Sequence, residues 1–320
     1  MVALNVSVHV KAGQNLKGIA KTVDGGGFAF THLDLPGQDL VGGEPVDWSD
    51  DAKLGNIEAL NDYVHLRYVN LSHHIIADLA PLVAMRHLLS VNLSHNCLTT
   101  ESIQHFKEAP LKFLQVLDMS HNRLVEYSLQ FPMLRELYLS KNQLNSVKLT
   151  AEGSVLKYLD LRDNASTDPP PEPAEGEEAP PPQGLQDCDG FGLPCIETLL
   201  LTGNPIKSMK GLEALTGVEA LDFTATAVES LDGLPTGGKL RKLKLQDCKI
   251  AAWEEMDKLQ QVAALKDLNV DGNPLPVGGN VRGRILKRLP GLEVLNELPV
   301  TGDDREAAKE GDPAPAEDAA

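Results

Sequence analysis

The 320-residue chain predicts an α/β solenoid. Short parallel strands would stack into the concave sheet of a horseshoe, with tight 3₁₀ or short helical turns on the convex side and caps at both ends. Two observations predict this. Apolar residues recur in the frame L-x-x-L-x-L-x-x-N/C-x-L at a spacing near 22 residues. Behind each such block runs a second apolar beat at a spacing of three, as in Leu79, Leu82 and Met85 or Met209, Leu212 and Leu215. That spacing suits a 3₁₀ turn, and the short period leaves no room for a long helix.

The frame is filled in order along the chain. Leu66, Val69, Leu71, His74 and Ile76 form one copy; Leu88, Val91, Leu93, Asn96 and Leu98 form the next. The copies starting at Leu114, Leu134 and Leu156 follow, and those starting at Ile196, Val218, Leu240 and Leu265 complete the run. A weaker first copy is Phe30, Leu33, Leu35, Gln38 and Leu40. Each copy gives a strand whose alternate residues face inward. One strand cannot bury its apolar face alone, so neighbours stack into a continuous core. The template is that of a leucine-rich repeat.

The polar position closes the turn behind each strand. Asn96, Asn122, Asn142, Asn164, Asn204, Cys248 and Asn273 occupy it, with Thr226 and His74 as substitutes. A buried amide here can serve the backbone of adjacent repeats, and leaving such a group unsatisfied would cost about 1–3 kcal/mol. Thr226 and Cys248 can make only part of that pattern. One residue earlier, His73, His95 and His121 share a slot and would stack at about one strand spacing, roughly 5 Å. A metal site is conceivable from that spacing, but no carboxylate or thiol recurs beside it and Lys141 takes the slot in the next copy. The histidines therefore read as repeat punctuation.

The register breaks twice. VGGEPVDWSDDAKLGN, residues 41–56, interrupts the first copy, because Ile57, Leu60 and Tyr63 are its back half. The second break, residues 166–195, holds seven acidic residues, no basic ones and a dense proline run, a composition that cannot form a core. The expected organisation is an N-terminal cap segment at 1–29 and a repeat domain at 30–300 with insertions at 41–56 and 166–195. A C-terminal cap is expected at 281–300 and an acidic disordered tail at 301–320. VKAGQNLKGIAKTV, residues 10–23, reads as a short capping helix ended by Gly25, Gly26 and Gly27.

The formal charge is −17, from 46 acidic and 29 basic residues. Phosphate binding needs a positive surface, so nucleic acid is not the expected partner, and attraction to anionic lipid is weakened likewise. No apolar run resembles a secretory signal or approaches a membrane span, so a soluble intracellular protein is expected. Cys97, Cys188, Cys195 and Cys248 form no CxxC pair and read as free thiols. No HExxH, GxSxG, Walker or dinucleotide motif is present, and DGN at 271–273 belongs to a repeat. The chain is therefore expected to have no enzymatic activity, no metal and no cofactor.

What remains is surface. The concave column comprises Asp34, Asn70, Asn92, Asp118, Tyr138, Asp160, Leu200, Asp222, Lys244 and Asn269, flanked by Tyr68, Glu136, Tyr158, Arg162, Lys242 and Gln246. Tyrosine and arginine are common interface anchors. The candidate partner contacts are Tyr68, Asp118, Tyr138, Tyr158, Asp160, Arg162, Asp222 and Lys244, and the carboxylates point to a partner with basic residues.

The tight period and terminal cap resemble the SDS22-like class of leucine-rich repeats, which includes phosphatase regulators and axonemal proteins. LKGIAKTVDGGGFAFTHLDLPGQDL, residues 16–40, followed by DYVHLRYVNLSHHIIADLAPLVAMRHLLSVNLSHN, residues 62–96, resembles the radial spoke leucine-rich-repeat protein family of motile cilia. The likeness covers about the first hundred residues; beyond it the repeats are generic, and the acidic insert and short tail depart from the family. The resemblance implies a non-enzymatic scaffold in the axoneme of a cilium or flagellum, with other radial spoke subunits as partners. A cytosolic phosphatase regulator of the SDS22-like type is the competing reading.

Overall fold

A computed structural model describes residues 15–22, 25–41, 43–108, 111–149, 153–165, 184–276 and 280–310. The chain divides into two compact units, Met1–Gly184 and Leu185–Ala320. Both are leucine-rich-repeat solenoids.

In the first unit, β2 (Phe28–Asp34), β5 (Tyr68–Asn70), β6 (Ser90–Asn92), β7 (Val116–Asp118), β9 (Glu136–Tyr138) and β11 (Tyr158–Asp160) pair in parallel in that order. The register aligns the same template position in each copy: Leu33, Val69, Val91, Leu117, Leu137 and Leu159 lie side by side and are buried. Behind them run 3₁₀ turns at Glu58–Asp62 and Ala80–Ala84. Pro81 near the start of the second fixes its φ where no amide donor is needed. Leu79, Leu82 and Met85 bury completely beneath it. Helix α1 (His105–Glu108) and a pair of two-residue strands, β8 (Glu126–Tyr127) and β10 (Ser146–Val147), continue the convex side.

The second unit repeats the plan. β12 (Thr198–Leu200), β13 (Ala220–Asp222), β14 (Lys242–Lys244), β15 (Asp267–Asn269) and β16 (Val294–Leu295) are parallel, and β17 (Leu298–Pro299) turns back antiparallel. Helices α2 (Trp253–Lys258), α3 (Val281–Arg288) and α4 (Gly302–Glu310) complete it.

Four expectations need correction. Within the capping helix expected at 10–23, residues 16–21 form a strand instead: β1 (Leu16–Lys21) pairs antiparallel with β2, while Asn15 before it is helical. Strand β2 would otherwise leave an open sheet edge, and β1 satisfies its backbone groups by direct pairing. Gly18 would also weaken a helix by about 1 kcal/mol, and it sits at φ 66 where a Cβ would collide with the His32 ring and the Thr31 hydroxyl. Second, the first copy does not fill the frame as expected. β3 (Gln38–Val41) and β4 (Glu44–Asp47) make a hairpin in which Gln38, expected at the ladder position, instead donates to Asp47 at 2.7 Å. Phe30, expected as the first inward residue, is largely exposed.

Third, residues 166–183 lie outside the described residues, but Leu185, Cys188, Phe191 and Leu193 are buried, so the repeat core resumes before the end of the expected insertion. Fourth, the tail begins with helix α4. Thr301 Oγ1 accepts from the Asp304 backbone N–H at 3.2 Å and the Asp304 carboxylate accepts from the Thr301 N–H at 2.8 Å, a capping box. Arg282 then grips Asp304 through two bonds of 2.9 and 3.0 Å and ties α4 to α3. The tail's acidic composition hid that capping pair.

Candidate partner-binding face

The geometry of each concave strand starts at its turn. His73, His95, His121, Lys141, Asp163, Ala225 and Asp247 all have φ between 53 and 60°, and Gly203 and Gly272 share the slot. Histidine, aspartate and glycine tolerate this left-handed conformation better than most residues. The slot reverses the chain and aims the next side chain into the core. There Asn122 donates to the Leu93 and Met119 carbonyls, both at 3.0 Å, and accepts from the Leu98 N–H at 2.9 Å. Asn96, Asn142 and Asn164 repeat that three-way pattern, as does Asn273. Asn204 donates to Leu201 at 2.8 Å. His74 fills the slot with a ring: its Nδ1 accepts from the Leu54 N–H at 3.1 Å, and its Nε2 lies 3.0 Å from the Leu35 carbonyl, which makes that nitrogen the donor. Thr226 and Cys248 supply the donor half, to Phe223 O at 2.8 and 3.1 Å.

The three histidines of the preceding slot form a stack, with ring centroids 4.0 and 3.7 Å apart. Parallel faces do not converge lone pairs on one point. Among the described residues, no group of three or more His, Cys, Asp or Glu is placed to hold a metal ion.

On the concave side of the first unit, Asn70, Asn92, Asp118, Tyr138 and Asp160 fall in one register column. Most of that column is occupied locally. The Oδ1 atoms of Asn70, Asn92 and Asp118 each accept from the backbone N–H and hydroxyl of the serine two residues on. The N/D-x-S spacing was visible in the sequence as an Asx-turn signal and was missed as such. Asp160 does not present itself to a partner: it is 2 % exposed, and its carboxylate holds Arg162 through bonds of 2.9 and 2.7 Å. Its role is to orient that half-exposed guanidinium and hold it protonated.

Beside Arg162 stand Tyr138 and Tyr158, with ring centroids 5.0 Å apart. Tyr138 donates to Glu136 at 2.9 Å. Burial, reinforced by the Glu136 carboxylate, pushes the Tyr138 phenol above its ordinary range, and burial together with Asp160 does the same for Tyr158. Both are therefore neutral donors at any physiological pH. Tyr68 lies three strands away, stacked on His32 at 4.4 Å. The first unit thus gathers Glu136, Tyr138, Tyr158 and Arg162 into one amphipathic cluster. In the second unit, Asp222 accepts from the Thr224 N–H and Thr202 hydroxyl, both at 3.0 Å, and faces Lys244 at 3.9 Å. Among the described residues, no helix is long and apolar enough to cross a membrane.

Comparison with known proteins agrees with this architecture. A leucine-rich-repeat family model matches residues 84–105. Leucine-rich repeat-containing protein 23 of Bos taurus is 26 % identical over 301 residues, covering 93 % of this chain and 77 % of the relative. Leucine-rich repeat-containing protein 56 of Homo sapiens is 32 % identical over 133 residues, covering 41 % of this chain and 21 % of that one. Among solved structures, an internalin from Listeria monocytogenes superposes with a TM-score of 0.58 at 18 % identity, covering 83 % of this chain and 66 % of the internalin. The chain is a leucine-rich-repeat solenoid protein, distantly related to leucine-rich repeat-containing proteins 23 and 56.

Proposed function

We propose that the protein is a structural subunit of the motile-cilium axoneme, placed in the radial spoke, where it joins other spoke subunits. Its resemblance over residues 16–96 to the radial spoke repeat family supports this reading, as does similarity along most of its length to a repeat protein of comparable extent. The observation that carries the binding function is the Glu136, Tyr138, Tyr158 and Arg162 cluster. Two neutral phenols offer area and directed hydrogen bonds at low entropic cost, and a pre-oriented guanidinium beside them suits a carboxylate or carbonyl on a partner. Asp118, Asp222 and Lys244 are the polar surround, and Tyr68 is a second anchor. The seven net negative charges of residues 166–195 and the five of residues 302–320 add attraction for basic regions of spoke subunits.

The test is extraction of motile axonemes with detergent and then salt, followed by crosslinking mass spectrometry. Retention after detergent, with crosslinks from concave residues to spoke subunits, is the expected outcome. Release with a phosphatase that binds the concave face, and loses it on Tyr138→Ala, would overturn the reading in favour of a phosphatase regulator.

A further inference from the structure

The strands of the first unit have a second exposed side, the rim where the chain enters each strand. Backbone hydrogen bonds align its residues across repeats: Leu89 N–H to Arg67 O at 2.7 Å, Gln115 to Leu89 at 2.8 Å, Arg135 to Gln115 at 2.8 Å and Lys157 to Arg135 at 2.9 Å. Two residues before each of these lie His65, His87, Phe113, Met133 and Val155, and one further back lie Val64, Arg86 and Lys112. These rows contain no carboxylate, in a chain of formal charge −17. Arg67, Arg86, Lys112 and Arg135 make no ion pair among the described residues. Between them Phe113 is 49 % exposed, Met133 41 % and Val64 37 %, and His87 stacks on Phe113 at 6.2 Å.

The same rows in the second unit are built differently. Glu197, Glu219, Arg241, Lys266 and Glu293 align by the same backbone bonds. The position carrying Phe113 and Met133 is there Cys195, Gly217, Lys239, Ala264 and Gly291. The repeat does not require a basic, apolar rim: among the described residues the first unit has one and the second does not. Fold maintenance does not explain it either, since the large apolar groups are in solvent and Arg67, Arg86, Lys112 and Arg135 make no ion pair among the described residues. Exposed apolar groups clustered within a polar rim mark interaction sites.

We propose that this rim, centred on Phe113 and Met133 and flanked by Arg67, Arg86, Lys112 and Arg135, docks an acidic amphipathic segment of another protein. Charge complementarity fixes the sign of the partner. From Arg67 to Arg135 is three strand steps, about 14 Å, the length of a helix of about ten residues. Carboxylates one helical turn apart, about 5.4 Å, match the repeat spacing, and aliphatic side chains between them would cover Phe113 and Met133. The site adjoins the concave cluster, since Arg135 directly precedes Glu136, but shares no residue with it.

The experiment uses the full chain and a labelled synthetic peptide of about three helical turns, with Glu on one face and Leu on the other. Its charge-reversed twin has Lys for every Glu, and binding is read by fluorescence anisotropy. The acidic peptide is expected to bind and to weaken with salt, while the lysine peptide fails. Combined Arg67→Ala, Lys112→Ala and Arg135→Ala should reduce affinity at least tenfold, as should Phe113→Ser with Met133→Ser; Tyr138→Ala should not. Unchanged far-UV circular dichroism shows that these surface variants remain folded. Equal binding of both peptides, insensitivity to the rim variants or loss on Tyr138→Ala would overturn the proposal. So would a preference for single-stranded RNA or for vesicles containing phosphatidylserine over the acidic peptide, since either replaces the protein partner with another class of anion.

Discussion

His95 lies between the rings of His73 and His121, in a column whose far neighbours are Asp47 on the inserted hairpin and Lys141. Burial, then the two flanking imidazoles, lower its pKa from 6.5 to about 4; Lys141 adds to this and Asp47 opposes it. Burial followed by Lys141 lowers His121 as well. The consequence for stability has a definite sign. Between those two pH values the unfolded chain takes a proton on this residue that the folded chain refuses, so acid favours unfolding. The contribution is complete above about pH 6.5, erodes as pH falls, and is exhausted below about pH 4. The variant His95→Asn keeps a residue tolerant of the left-handed slot and removes the titration. Its melting temperature should therefore fall less than that of the parent chain between about pH 7.5 and about pH 5. Equal losses in the two proteins, followed by differential scanning calorimetry, would show that the column does not resist protonation.

The elements that close the solenoid depend on fewer interactions than the repeats between them. Helix α4 is tied down chiefly by Arg282 and Arg305. Arg282 reaches Asp304, the Leu295 carbonyl at 3.0 Å and the Pro299 carbonyl at 2.9 Å. Arg305 reaches the Leu292 carbonyl at 2.7 Å and also Pro290. Arg282→Ala should release α4 without unfolding the strands. Hydrogen exchange at residues 302–310 should accelerate at least tenfold while β13 to β15 hold their protection, and uniform acceleration would contradict this. These caps also mark where sequence reading stopped. The strands from Val69 to Val270 were legible because a buried leucine at a fixed period has one geometric meaning. The ends were not, because capping depends on pairs distant in sequence, such as Lys17 with Asp34 at 3.1 Å or Arg282 with Asp304. The concave column was legible in position but not in role. Alternation places Asp118 and Asp160 on the sheet face; the D-x-S spacing already signals that Asp118 accepts from Ser120, whereas only the fold reveals that Asp160 is buried under Arg162.

At the scale of the molecule, charge is sorted rather than spread. Residues 166–195 carry seven net negative charges and residues 302–320 five, so twelve of the seventeen lie in two segments. The repeat body is left nearly balanced, which lets its strands display different chemistry along one backbone plan. The first unit then has two candidate surfaces on the same strands: a concave cluster of paired phenols and a basic apolar rim. Met133 lies in the turn before β9 and Tyr138 at the far end of that strand, five residues on. Groups more than about 7–10 Å apart that share no partner perturb binding additively to within about 0.5 kcal/mol. If the two surfaces serve different partners, saturating the rim with the acidic peptide should leave the affinity for a crosslinked concave-face subunit within about twofold of its free value, since about 0.5 kcal/mol is close to a factor of two. Tyr138→Ala with Tyr158→Ala should weaken that subunit while leaving the peptide's dissociation constant unchanged. A tenfold shift of either ligand by the other, measured by isothermal titration calorimetry, would mean that one partner spans both surfaces and that rim and concave cluster form a single interface.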